Sequence, residues 1–239
     1  MDKTTSLDVY GSKDYKRSRG AYCIECAFEY FVSLLVGGSF LAKLLANIGM
    51  DTNTIGIVSS MISLAFLFQL AAVFVAHKIS NTKRFVIIFH FLSQMFFMSL
   101  YLIPFMGVSS KYKQLIAIAC ILCAYFGNYF VTSMIYRWGN SYVDHHKRGS
   151  YGATKEMISL ISGMVVTIVI GVVMDAFEAK QDTYGGFIFA AIGIFIFAVC
   201  DLICLLLIKN DIKPKTKASE TVPFSEILRN TFGNKITET

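Results

Sequence analysis

Residues 21–48 read AYCIECAFEYFVSLLVGGSFLAKLLANI, and this stretch decides the fold. It is long enough to cross a bilayer, which takes about 20 predominantly apolar residues as a helix. It also holds Glu25 and Glu29, one helical turn apart. An ionisable side chain at the centre of a span costs roughly 2.5–3.5 kcal/mol, less near the interface. Lipid offers a carboxylate no partner. Both glutamates are therefore expected to face a protein interior or a wet cavity, and other helices must build it.

The rest of the chain has the composition of such helices. Of 239 residues, 55% are hydrophobic and only 16% charged, and the mean hydropathy is +0.57. Ordinary soluble domains carry about 25% charged residues. The apolar runs are continuous and show none of the roughly ten-residue alternation of a membrane barrel. The net charge of +6 lies between the apolar runs instead of clustering as a nucleic-acid-binding face would. No nucleic-acid partner is expected; the lipid bilayer is. The first apolar run follows about 20 polar residues and is too long for a cleaved signal.

Six spans are predicted, at about Ala21–Ile48, Ile55–Ala76, Phe85–Pro104, Leu115–Tyr136, Glu156–Met174 and Gly186–Ile208. This divides the chain into a polar tail over 1–20, a six-helix bundle over 21–208 and a second tail over 209–239. With the N-terminus inside, 18 of the 22 Lys and Arg fall on the inner side. That bias obeys the positive-inside rule and places both termini in the cytoplasm of a cell (plasma) membrane protein. In the last tail, Phe224, Ile227, Leu228 and Phe232 share one face of a short amphipathic helix that could lie on the inner surface.

Polar residues recur at helical spacing inside the spans. Glu25, Glu29 and Ser33 align on span one, and His90 and Gln94 on span three. Tyr129 and Thr132 align on span four, with Asn128 alongside. Arg137 ends span four, and Asp201 lies in the inner half of span six. These are the candidates for a substrate or ion pathway, Glu29 above all because it is about 6 Å deeper than Glu25 by helical rise. Serines and glycines on the same stripes serve equally as interhelical contacts. Lys78, Lys83, Arg84, Arg148, Lys155 and Glu156 flank the inner loops and are candidates for a charged latch at an inner gate. The six cysteines fall in apolar helical runs, where thiols pack as small hydrophobes. Asp144-His145-His146 reads as a solvated loop with no further ligands at useful spacing. No catalytic residue, metal or cofactor is expected.

This arrangement resembles the N-terminal half of a major facilitator superfamily transporter. Six spans with both ends inside, a short basic loop after span two and an Arg148-Gly149 loop before span five carry the resemblance. Of that family's motif after span two, only the basic positions fit, at Lys78, Lys83 and Arg84, with His77 near the place of its acid. The resemblance implies an all-α membrane fold of six transmembrane helices as two three-helix inverted repeats, with substrate near the midplane. It puts Glu29, Ser33, Asn128, Tyr129 and Thr132 near the substrate. It also implies a secondary transporter, or its N-terminal half, moving a small-molecule solute by alternating access with a coupling proton or cation. The expected partner is a complementary six-helix half or a second copy of the chain. The alternative is a non-transporting membrane subunit, a scaffold or sensor.

Overall fold

The computed structural model describes residues 10–70, 72, 79 and 81–209. Every regular element among them is helical: α1 (Lys13–Leu35), α2 (Gly38–Asn47), α3 (Thr52–Ala65), α4 (Thr82–Leu100), α5 (Ser110–Asn140), α6 (Arg148–Ala179) and α7 (Thr183–Leu207), with single 3-10 turns at Ile103–Phe105 and His145–Lys147. The helices α4 to α7, and the segment Thr52–Leu70 that contains α3, are each long and apolar enough to cross a membrane. The pair α1 and α2 makes the sixth crossing when counted as one span. This is the all-α membrane fold expected. Outward-facing Leu160, Ile161, Met164, Val165, Ile168 and Val172 give α6 an apolar face that only lipid or another apolar surface can cover. The amphipathic segment expected at Phe224–Phe232 lies outside the described residues, as do His77 and Lys78.

Span one is not the single helix that its hydropathy implies. It bends by 40° between α1 and α2, at Gly37-Gly38. Gly38 has φ +50, a left-handed conformation that side chains other than glycine rarely adopt. A break inside a membrane frees backbone carbonyls where no water can bind them. Two tyrosines take up the load. The Tyr125 hydroxyl donates to the Val36 carbonyl at 2.7 Å, and the Tyr101 hydroxyl donates to the Leu35 carbonyl. Tyr101→Phe and Tyr125→Phe are each expected to destabilise the fold by about 1–3 kcal/mol, the cost of a buried acceptor left unmet. Thermal unfolding in detergent measures this; unchanged midpoints in both variants would show that the carbonyls find other partners.

The polar segments also differ from their expected limits. The tail expected to run to Gly20 is helical from Lys13, and the loop expected over Arg137–Lys155 shrinks to residues 141–147. Hydropathy marks where a helix leaves lipid, not where its hydrogen bonding stops. The projecting ends are tied together: Lys209 pairs with Asp14 at 2.7 Å, Arg19 donates to the Tyr142 carbonyl at 3.2 Å, and Tyr151 donates to the Arg19 carbonyl at 2.7 Å. At the other end, Asp51 caps α3 by accepting from the Asn53 and Thr54 amides. The Thr54 hydroxyl and these amides hold its carboxyl below the usual range.

Inside the bundle, α1 packs against α6 and α7, and α4 packs against α5 and α7. The approach of α6 to α1 depends on Gly163, where an added Cβ would enter the ring of Tyr30. These contacts turn the polar stripes of α1, α4, α5 and α7 inward.

Candidate functional site

A cavity of about 580 Å³ opens among α1, α4, α5, α6 and the end of the Thr52–Leu70 segment. Its polar wall is made by Glu29, Gln69, Gln94, Asn128, Thr132 and Lys155. Aromatic rings of Tyr30, Phe66, Phe97, Tyr125, Tyr129 and Tyr136 line the rest. The volume lies within the roughly 300–1,000 Å³ of small-molecule sites. Across the α1–α5 junction, Asn128 Nδ2 donates to Glu29 Oε1 at 3.3 Å. Thr132 turns its hydroxyl back onto the Asn128 carbonyl at 2.7 Å, and Ser33, which also lines the cavity, bonds the Tyr30 carbonyl at 2.6 Å. The Thr132 and Ser33 hydroxyls are therefore turned onto carbonyls of their own helices.

Glu25, His90 and Asp201 do not line this cavity; they form a buried cluster beyond Gln94. All three are at most 1% exposed. His90 Nε2 lies 2.7 Å from Asp201 Oδ2 and 3.3 Å from Gln94 Nε2. Glu25 receives the Cys26 thiol at 3.3 Å. Glu25 is fully buried where α1 packs against α7, its carboxylate within 4.8 Å of that of Asp201.

The basic candidates scatter. Arg137 and Arg84 are exposed and absent from the cavity wall. Lys83 caps the end of α7, donating to the Leu206 carbonyl at 3.0 Å and to that of Ile208, which suits a cation at a helix C-terminus. Arg148 bonds the Val143 carbonyl at 3.3 Å. Lys155, expected in a loop, is instead two turns into α6 and 4% exposed. Its ammonium lies 3.3 Å from Cys26 Sγ, 2.9 Å from Glu156, and 4.8 Å from the centre of the Tyr136 ring. A lysine eight residues into a helix that starts at Arg148 carries no sequence signal of burial. Tyr30 and Gln69 were likewise not singled out for the site. Gln69 stands among apolar residues of the second span, and its amide is its only mark.

A family model described as MFS/sugar transport protein matches residues 48–237. No curated protein and no solved structure matches the chain.

Proposed function

The chain belongs to the MFS/sugar transport protein family, and from that premise we propose that it moves a sugar or similarly hydroxylated small solute across the membrane by alternating access. The observation that carries this reading is the cavity itself. The Glu29 carboxylate and three amides face a ring of aromatic side chains. Amides and a carboxylate suit hydroxyl groups, and aromatic faces suit the apolar faces of a pyranose or furanose ring. Glu29 is the group that takes up the coupling proton or cation. Among the described residues it is the one carboxylate that both lines the cavity and is held by a neutral partner on another helix.

Ser33, Phe66, Tyr136 and Glu156 are exposed at the cavity wall. This supports a complementary six-helix half, or a second copy, closing the pathway from that side. The basic helix ends around Lys83, Arg148 and Lys209 would lie at the cytoplasmic face of the cell membrane, as the positive-inside rule favours.

Reconstituted vesicles test the reading. Radiolabelled pentoses, hexoses and disaccharides are offered under proton and sodium gradients. At least one is expected to enter faster than into protein-free vesicles. Asn128→Ala should raise its KM by about tenfold, the loss of roughly 1.4 kcal/mol of solute binding. Absence of gradient-driven flux for every sugar would overturn the assignment and favour a non-transporting subunit.

A further inference from the structure

We propose that Glu25, His90 and Asp201 form a binding site for one divalent transition-metal ion, set behind the solute cavity and gated by Gln94. One carboxylate oxygen of Glu25, one of Asp201 and a ring nitrogen of His90 lie within 4.8 Å of one another. The three come from α1, α4 and α7, so the site exists only where those helices meet.

The second observation is the state of the polar atoms. Glu25 Oε1, Asp201 Oδ1 and Gln94 Oε1 are buried without a protein partner, in residues at most 1% exposed. Buried carboxylate oxygens without donors are costly. The buried Lys155 on α6 is already engaged by Glu156 and Cys26. A bound dication removes the cost by giving the donor-poor oxygens a common partner.

The donor set selects the ion class. One imidazole with two carboxylates suits zinc, manganese, iron or cobalt. Sodium, magnesium and calcium favour all-oxygen sites. Gln94 supplies a fourth donor. Its amide lies 3.3 Å from His90 Nε2, and the two ends of an amide are interchangeable in such an assignment, so its oxygen can face the ion. Gln94 also lines the cavity, which gives the ion its route in. The Cys26 thiol on Glu25 Oε2 orients that carboxylate from behind, as an outer partner of a metal ligand does.

The test uses the full chain in detergent, purified on a histidine-free tag, with His145→Ala and His146→Ala to remove the exposed histidines. The protein is stripped with EDTA, loaded with Co(II) or Zn(II), desalted and assayed by elemental analysis. One ion per chain is expected. Glu25→Gln and Asp201→Asn should each weaken binding at least about tenfold. X-ray absorption of the zinc-loaded parent should show one imidazole and oxygen donors with no sulfur. That spectrum decides the matter even where a variant does not fold. A stripped protein that takes up no metal, binding unchanged in both folded variants, or a shell with two imidazoles or a thiolate would overturn the site. None of these readouts involves solute flux.

Discussion

Glu29→Gln is expected to abolish gradient-driven solute accumulation while leaving solute exchange intact. Glutamine keeps the size and shape of the side chain, and its Oε1 can still accept from Asn128 Nδ2, the contact that spans 3.3 Å from α5 to α1. What it loses is the ability to bind and release a proton or to neutralise a cation. Solute binding then proceeds without the coupled charge. Uptake against a gradient should fall by about 100-fold or more, which is roughly 2.7 kcal/mol at 1.36 kcal/mol per factor of ten. Counterflow, in which internal unlabelled solute drives entry of labelled solute, needs no net charge movement and should persist. The two assays on the same vesicles separate a coupling defect from a folding defect. Wild-type accumulation by the variant would remove Glu29 from the mechanism.

The second large effect is on stability. His90→Leu is expected to destabilise the bundle by roughly 3–5 kcal/mol, because it strips the partner from a buried carboxylate. His90 Nε2 and Asp201 Oδ2 are 2.7 Å apart with side chains 0% and 2% exposed, so water cannot replace the lost group. The double variant His90→Leu with Asp201→Leu should recover most of the loss, since a buried pair replaced by apolar groups is often neutral. Unfolding in mixed micelles, arranged as a double-mutant cycle, measures the coupling. Simple additivity of the two single variants would show that the residues do not act as a pair. The spared cavity wall makes a further check: Glu29 and Asn128 belong to α1 and α5, so a correctly folded double variant should still bind solute.

Much of the candidate site was legible in the polar stripes. Glu29, Ser33, Gln94, Asn128, Tyr129 and Thr132 were expected on the pathway, and all six line one cavity. The stripes are readable because a charged or amide group facing lipid is penalised whichever helix stands beside it. The stripes could not separate Glu25 from Glu29. One turn apart, the two carboxyls part company because α7 covers one and the cavity meets the other. Lys155 reads from the sequence as part of a latch at an inner loop, and its burial is not legible there, since it comes from Tyr22 and Tyr136 on other helices, and nothing beside it in the chain announces them.

The sequence by itself determined the all-α membrane class, the apolar segments that carry it and the requirement for an interior that tolerates acid. These follow from the transfer of each segment between water and lipid, a property of the segment alone. Only the tertiary structure decided the bend of the first span, where Tyr101 and Tyr125 must arrive to meet the carbonyls of Leu35 and Val36. It also decided the meeting of His90 with Asp201 and of Glu29 with Asn128. Those contacts depend on the rotation and depth of each helix, which close approaches such as Gly163 against Tyr30 set. Hydropathy is indifferent to rotation about a helix axis, whereas packing is not.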